Sequence, residues 1–127
     1  MITTEGFRDV LELRRIRIPL SYDLGWEKPP PLVDRALRFE VRDRLDHLGN
    51  TLTDLDTNSL NAMVDAVADA NVEAIAVCLI HAYRNAGHER QIGEALRARL
   101  PDCPVSLSSA VLPEIQEFER TSTTVVN

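Results

Sequence analysis

The sequence predicts an α/β fold in which helices pack on a mixed sheet, with a parallel β-α-β crossover and an antiparallel hairpin. The apolar run VEAIAVCLI, residues 72–80, lies between two segments whose apolar residues recur at helical spacing, and a second strand-like segment, PVSLSS, follows. The alternating segment ALRFEVRDRL precedes the turn HLGN, which predicts the hairpin. Because the chain has 127 residues and 44% of them are hydrophobic, we expect residues 1–127 to form a single domain with one core.

The chain is predicted to begin with a short strand and a helix. Ile2–Thr4 has the composition of a strand end, and the hydroxyl of Thr4 can cap a helix over residues 5–13. Phe7, Val10 and Leu11 fall at helical spacing in that segment. We therefore expect these three side chains to face the core.

A long irregular stretch follows, from residue 14 to residue 34. Pro29–Pro31 favour an extended course and exclude a helix there. A stretch of this length is typical of a binding loop or of a surface that contacts another domain. It opens with a basic cluster, Arg14, Arg15 and Arg17, which can hold an anion. A solvated surface or an interdomain salt bridge is the preferred interpretation of that cluster.

The central segments are predicted to form the hairpin and then the crossover. Leu37, Phe39 and Val41 alternate with polar residues in the first hairpin strand, and TLTDL supplies the second. Asp56 is predicted to cap a helix that ends near residue 71, and Asn85 to cap one that Pro101 stops. The apolar residues of the two helices are Leu60, Met63, Val64 and Val67 in the first, and Ile92, Ala95, Leu96 and Leu100 in the second. Helix, strand, helix and strand in this order predict a right-handed parallel crossover.

The last segment continues a helical pattern to the end of the sequence. From Pro113 onward, an apolar stripe is formed by Ile115, Phe118, Val125 and Val126, with Ser122 completing it. No glycine stop follows the stripe. We therefore expect the chain to be a fragment of a larger protein, whose remainder covers part of this stripe.

Composition and charge exclude several classes of protein. The chain has 14 Lys and Arg against 20 Asp and Glu, a net charge of −6, so nucleic-acid binding is not expected. Neither a leader nor an apolar run of membrane length is present in the sequence, so no membrane association is expected. Cys78 and Cys103 do not belong to a spaced framework. We expect reduced thiols in a cytoplasmic protein.

Local catalytic motifs are absent from the sequence, which has no GxxxxGK[ST] loop, GxGxxG, GxSxG or HExxH. Cys78, His81 and His88 could form a zinc triad, but their spacing lacks a second pair of ligands. A buried cysteine and a hydrogen-bonded histidine are the preferred interpretation, and no metal site is expected. His81 follows a parallel strand, where α/β sheets bind ligands, although a structural hydrogen bond is preferred for it too.

The polar block ERTSTT, residues 119–124, concentrates a carboxylate, a guanidinium and four hydroxyls within two helical turns. Such a block can line a polar site or a domain contact. A polar helix face is an equally supported interpretation.

Several strings, taken together and in order, resemble the second half of the amino-terminal region of the hydantoinase/oxoprolinase family. They are TTEGFRDVLEL, SYDLGWEKPPPLV, LRFEVRDRL, VEAIAVCLIHAYRNAGHE and SLSSAVLPEIQEFERTSTTVVN. The family includes ATP-dependent N-methylhydantoinases, 5-oxoprolinases and the related subunit of acetone carboxylases. The resemblance covers essentially the whole chain, and TTEGFRD and LPEIxExERTSTT are its distinctive strings. Family members commonly have Asn-Pro before the His-Glu pair, where this chain has Asn85, Ala86 and Gly87.

The resemblance implies a larger parent enzyme that opens a cyclic amide at the expense of ATP, or carboxylates a ketone by the same activation. It implies ATP and Mg²⁺ for the parent, no cofactor for the fragment, and a scaffold role for the fragment. No catalytic residue is assigned. The motif positions carried over as a candidate polar site are Glu119, Arg120, Thr121, Ser122 and Thr123, and the weaker candidates are Thr3, Thr4, Arg8, Asp9 and His81.

The expected partners are the remainder of the parent subunit and a companion hydantoinase subunit, and the fragment is expected to self-associate. Two alternatives remain open. The first is a stand-alone interaction module whose proline-containing loop docks a partner. The second is a small-molecule enzyme that uses Cys78 or His81, which the lack of a base beside either nucleophile disfavours.

Overall fold

A computed structural model of the chain describes residues 1–13, 24, 25, 27 and 29–127. These residues form an α/β fold of six strands and four α-helices, which confirms the predicted fold class. The strands are β1 (Ile2–Thr4), β2 (Phe39–Val41), β3 (Arg44–Leu45), β4 (Thr51–Thr53), β5 (Ile75–Cys78) and β6 (Val105–Leu107). The helices are α1 (Thr57–Asp69), α2 (Gly87–Arg99), α3 (Ser108–Val111) and α4 (Glu117–Val126), with 3-10 turns at Val10–Glu12 and Arg35–Leu37.

Four strands form a parallel sheet in the order β2-β1-β5-β6. In the central strand, Ile2 lies opposite Phe39 on one side and Val77 on the other. The chain moves outward from β1 to β2, returns across the sheet to β5, and moves outward again to β6. The direction of winding therefore reverses between β1 and β5, and such a reversal opens a crevice at the carboxyl ends of the strands.

Helices cover both faces of this sheet. Successive side chains of a strand point to opposite faces, so Ile75 and Val77 share one face and Cys78 lies on the other. Ile75 and Val77 belong to a buried core that also contains Met63 of α1 and Ile92 of α2. On the opposite face, α4 packs on β5. The sheet thus lies between two layers of helix, as its near-continuous apolar sequence in β5 indicates.

The predicted crossover is confirmed in its elements. Asp56 caps α1, since its Oδ2 accepts a hydrogen bond from the N–H of Ser59 at 2.7 Å. The strand β5 lies between α1 and α2 in chain order and is largely buried, and β6 pairs with it in parallel. Asn85 does not cap α2 as predicted, because the N-cap residue is Ala86 and no side chain caps that end; Oδ1 of Asn85 instead accepts from the N–H of Gly87 at 2.9 Å. The crossover therefore forms as the order of the segments predicts.

The helix predicted over residues 5–13 is wrong. Only a 3-10 turn, Val10–Glu12, forms in that segment. Thr4 does not cap a helix, because its hydroxyl donates to Oδ1 of Asp43 and accepts from the N–H of Ile80. Val10 and Leu11 are nevertheless buried, in a small cluster with Met1. The burial of Val10 and Leu11 was predicted correctly, whereas Phe7 is only half-buried and the predicted secondary structure is wrong.

The hairpin exists, but its first strand differs from the predicted one. The strand β3 pairs with β4 in an antiparallel two-stranded sheet, whereas Phe39–Val41 pairs in parallel with β1. The side chains just before β2 also depart from the predicted alternation, since Arg38 is fully buried and Leu37 is 37% exposed. Arg38 is stabilised inside by Glu12, whose Oε1 accepts from its Nη2 at 2.9 Å. An internal ion pair therefore reverses the pattern that apolar spacing predicts.

The carboxyl-terminal stripe is not the buried face of its helix. The helix α4 begins at Glu117 rather than near Pro113. Its buried residues are Arg120, Thr121 and Thr124, whereas Ile115 is 66% exposed and Val126 is 72% exposed. The remaining stripe residues, Phe118, Ser122 and Val125, are half-buried. A polar face packs inward because its groups are satisfied: Arg120 donates to the carbonyl of Leu79, just after β5, and the hydroxyl of Thr124 donates to the carbonyl of Arg120.

Only part of the predicted irregular stretch, residues 14–34, belongs to the described residues. The basic cluster of Arg14, Arg15 and Arg17, and the stretch through residue 23, lie outside the described residues. Pro29–Pro31 form no helix, as predicted. Within the described part of the chain, the helices are too short and too polar to cross a lipid bilayer.

Candidate functional site at the carboxyl ends of the strands

Polar side chains converge where β1, β2 and β5 end. Thr4 is the last residue of β1, Asp43 lies two residues beyond β2, and Leu79–His81 follows β5. His88 and Glu89 lie in the first turn of α2, which the chain enters after β5. The carboxyl ends of strands in an open parallel sheet are the usual place for a ligand site. This edge is therefore the candidate functional site.

One buried hydrogen-bond chain crosses from β1 to α2. The N–H of Ile80 donates to Oγ1 of Thr4 at 3.2 Å, and Thr4 donates to Oδ1 of Asp43 at 2.8 Å. Nδ1 of His88 lies 3.0 Å from the other carboxylate oxygen of Asp43. The side chain of Asp43 is fully buried and that of His88 is 9% exposed. The two oxygens of the carboxylate are thus held by Thr4 of the strand β1 and by His88 of the helix α2.

A second buried chain surrounds Glu89, which is fully buried. Its Oε1 accepts from the N–H of Leu79 at 3.0 Å and from the hydroxyl of Ser108 at 2.6 Å. Its Oε2 accepts from the N–H of Ser109 at 2.9 Å. Three donors satisfy this buried carboxylate, as its isolation from water requires. Glu89 therefore fastens the end of β5 to α2 and to the start of α3.

Arg120 of the ERTSTT block fixes the same segment from the opposite face. It is fully buried, and it donates to the carbonyls of Leu79 at 2.9 Å and of Glu114 at 2.7 Å. Its Nε donates to Ser108 at 3.2 Å, and Nη2 also pairs with the carboxylate of Glu117. Glu89 and Arg120 consequently hold the N–H and the C=O of one residue, Leu79, with Ser108 bridging them.

The rest of the block is divided between interior and surface. Thr121 is buried, and Thr123 is exposed. Ser122 donates to the carbonyl of Glu119 at 3.2 Å within α4. The block therefore does not converge on one open surface. Arg120 alone among the five predicted candidates reaches the end of β5.

His81 has an unusual backbone conformation and an unusual side chain. Its φ is 58°, in the left-handed region that non-glycine residues seldom adopt. Its backbone N–H donates to Oε1 of Glu117 at 3.5 Å, and its ring lies edge-on to that of Tyr83. Its Nδ1 is buried without a hydrogen-bond partner among the described residues. Such a combination of strain and an unpaired polar atom is typical of functional edges of a fold.

The weaker candidates separate in space. Thr4 joins the Asp43 chain, and Thr3 is buried within β1. Arg8 donates to the carbonyl of Arg38 at 3.1 Å. Asp9 accepts from Arg35 at 3.1 Å and from Arg38 at 3.4 Å, so these two belong to the ion-pair group around Arg38. The TTEGFRD string therefore contributes one residue to the candidate site.

Cys78 is unsuited to act as a nucleophile. Burial, and secondly the negative charge of Glu89, raise the pKa of its thiol to about 12. A neutral thiol is a poor nucleophile and a poor metal ligand. The described residues contain no group of three or more His, Cys, Asp or Glu side chains that could hold a metal ion.

A cleft that the described residues form lies at the other end of the sheet. Its volume is about 570 Å³, and it is lined by the amino ends of all four parallel strands, including Ile2, Phe39, Ile75 and Ser106. The end of α4, with Val125, closes one side. None of the residues of the two buried hydrogen-bond chains lines this cleft.

Sequence reasoning missed Asp43, Glu89 and Ser108, and it considered His88 only as a metal ligand. Asp43 could have been found as the acidic residue directly after an apolar strand, within the string LRFEVRD. Its partners Thr4 and His88 lie 39 and 45 residues away, so no local spacing reveals them. The topology of the sheet brings the three together.

Comparison with known proteins shows the family and the fold of the chain. The model of the hydantoinase/oxoprolinase N-terminal region matches residues 1–100. The alpha subunit of caprolactamase from Pseudomonas jessenii is 34% identical over the whole chain. The crystal structure of the ATP-dependent caprolactamase from that organism superposes with a TM-score of 0.91, covering 99% of this chain. A nucleotide-free acetone carboxylase structure superposes with a TM-score of 0.85 and 25% identity, covering 98% of this chain.

The matched relatives are much longer than this chain. It spans 18% of the caprolactamase alpha subunit, and 18% and 19% of the two solved chains. Within that span the family model covers the strands β1, β2 and β5, both helices of the crossover face, and the residues of the Asp43 and Glu89 chains other than Ser108 and Ser109. The chain belongs to the hydantoinase/oxoprolinase N-terminal region family.

Proposed function

We propose that this chain is part of an ATP-dependent enzyme that opens a cyclic amide, and that its own residues form a scaffold around the carboxyl ends of the parallel sheet. The likeness to the ATP-dependent caprolactamase over 99% of the chain supports the activity. The proposed whole is a larger polypeptide, because the chain spans 18–19% of these relatives. Both cysteines are free thiols, which favours a reducing compartment such as the cytoplasm.

The observation that carries the scaffold role is the internal bonding of Arg120. This residue belongs to the most distinctive family string, and its donors are directed to Leu79, Glu114, Ser108 and Glu117 of the same chain. A guanidinium committed in this way holds the end of β5 rather than a phosphate group. The string ERTSTT therefore supports the shape of the edge at which a ligand binds.

The chemistry proposed for the whole enzyme is activation of the amide by phosphorylation. Transfer of the γ-phosphoryl group of ATP to the amide oxygen turns a poor electrophile into a good one. Mg²⁺ and backbone donors stabilise the transferring group. We assign the binding of ATP and Mg²⁺ to the whole polypeptide, since this chain spans only 18–19% of the matched relatives.

A second candidate function is the carboxylation of a ketone by the same activation. The superposition on acetone carboxylase supports it, at lower sequence identity than the superposition on caprolactamase. A stand-alone interaction module is the third possibility. The first two require a longer polypeptide, whereas the third does not.

The test uses the polypeptide that contains this chain, purified with any companion subunit encoded beside it. ADP formation is measured with hydantoin, 5-oxoproline, caprolactam, or acetone with bicarbonate. We expect one cyclic amide to stimulate ADP formation in proportion to ring opening. Stimulation by acetone and bicarbonate alone would favour the carboxylase. A lack of stimulation by every compound would contradict both and favour the interaction module.

A further inference from the structure

The hydrogen-bond chain Ile80–Thr4–Asp43–His88 defines where its protons lie. The N–H of Ile80 donates to Thr4, so the hydroxyl proton of Thr4 is directed to Asp43. Asp43 thus accepts at Oδ1, and its other oxygen faces Nδ1 of His88 at 3.0 Å. A buried carboxylate in this position requires a proton on Nδ1. When the imidazole of His88 is neutral, its Nε2 therefore carries the lone pair.

In this hydrogen-bond chain, Nε2 of His88 is the atom that can contact a ligand. Nε2 is not among the buried unpartnered atoms, and Asp43 is the partner of the ring among the described residues. The side chain of His88 retains 9% exposure, whereas that of Asp43 has none. A histidine with one nitrogen held by a buried carboxylate and the other reaching the surface has the arrangement of a general base.

The β3–β4 hairpin holds Asp43 in position. The strand β3 begins at the next residue, and its hairpin turn rests on the loop that follows β5. There, Nδ2 of Asn85 donates to the carbonyl of Gly49 at 3.1 Å, and a side chain at Gly49 would lie 3.0 Å from Cβ of Arg84. The hairpin therefore fixes the carboxylate against the start of α2, at the point where the winding of the sheet reverses.

We propose that His88 is a catalytic general base, positioned by Asp43 and Thr4, that accepts a proton from the water attacking the activated amide carbon. This role rests on the proposed ring opening, and it adds one catalytic residue to a chain whose other described residues serve as scaffold. The oxygen of water bonds to the O-phosphorylated amide carbon, and one water proton passes to Nε2. The ring C–N bond then breaks, and nitrogen leaves as an ammonium group with the proton from His88 and the proton of the new hydroxyl. The resulting acyl phosphate is hydrolysed by a second water to a carboxylate and inorganic phosphate.

The first experiment measures the dyad directly, and it does not depend on the proposed activity. Nitrogen-15 NMR of the imidazoles in the unmodified chain reports which ring nitrogen of His88 carries the proton in the neutral form. We expect the proton on Nδ1, and Asp43→Asn should shift this tautomer. A neutral His88 protonated at Nε2 would overturn the proposal, because that nitrogen could not accept a proton.

The second experiment measures turnover in the intact enzyme with the cyclic amide that stimulates it. His88→Asn should lower kcat by about 10²–10⁴-fold, and added imidazole should partly restore a His88→Gly variant. The matched control is His47→Asn, because His47 is exposed in the hairpin turn. An active His88→Asn enzyme would overturn the role of His88. An inactive wild-type enzyme would instead contradict the proposed function, and the NMR experiment would then decide whether Asp43 holds the proton of His88 on Nδ1.

Discussion

Substitution of Arg120 by alanine tests whether the ERTSTT block holds the fold or faces a site. The change removes the hydrogen bonds that Arg120 donates to the carbonyls of Leu79 and Glu114, and it leaves the carboxylate of Glu117 without its cation. Each buried group left unsatisfied costs about 1–3 kcal/mol. The side chain of Glu117 is 28% exposed, so water can partly replace the guanidinium there.

The sum is a loss of about 3–5 kcal/mol in the free energy of unfolding, which is the range for removing one partner of a buried ion pair. For a domain of this length, that loss lowers Tm by about 10–20 °C. Thermal unfolding followed by circular dichroism measures it, with Arg90→Ala as the control, since Arg90 is an exposed arginine on α2. We expect the control to stay within about 2 °C of the unmodified chain.

One result would refute the structural role of Arg120. If Arg120→Ala had the same Tm as the control and the intact enzyme lost turnover, the guanidinium would bind a ligand rather than the carbonyl of Leu79. If the variant melted lower and the intact enzyme kept its kcat, the block would belong to the scaffold alone. A fall in both quantities would show that the position of the β5 end matters to the chemistry.

Three further predictions concern the chain by itself. Cys103 should react with a thiol reagent well before Cys78, which is buried. The free energy of unfolding should also fall with rising pH between about 9 and 12, by up to about 1.4 kcal/mol per pH unit. The reason is that the folded chain retains a proton on Cys78 that the unfolded chain releases. Urea unfolding at pH 9, 10 and 11, with Cys78→Ala as the reference, measures that slope, and equal slopes would contradict it. The isolated chain should form no ADP from ATP with any cyclic amide, since positioned phosphate and metal ligands are required, and turnover by the chain alone would contradict the scaffold role. Light scattering over a concentration series should show self-association through the exposed Ile115 and Val126, and substituting both by serine should shift the chain toward the monomer, whereas a monomer at every concentration would exclude it.

The elements that the sequence predicts well are those with many local restraints. In α1, a capping aspartate and four apolar residues at helical spacing all indicate the same helix. In β5, an apolar run of strand length is bounded by helices on both sides, so a buried parallel strand is the consistent solution. Local pattern and tertiary packing agree in both, and the prediction was confirmed.

The elements that it predicts poorly are those in which a distant partner overrides the local pattern. Thr4 has the properties of a helix cap, but its hydroxyl is occupied by Asp43 and by the backbone of Ile80, 76 residues away. Arg38 has the sequence properties of a surface residue, but it is buried because Glu12 is its ion-pair partner. The Asp43–His88 dyad was missed for the same reason, because sequence spacing carries no record of a contact made through the topology of a sheet.

The order of the strands also governs when the sheet can form. The central strand β1 is near the start of the chain, yet one of its two neighbours is β5, which begins at Ile75. Closing so long a loop is entropically unfavourable, and proteins rich in such distant contacts fold slowly. During synthesis on the ribosome, β1 and β2 can pair early, but β1 keeps one edge unpaired until Val77 and Cys78 emerge. An unpaired strand edge can pair with another chain, so this interval is the one in which the nascent chain is most open to aggregation.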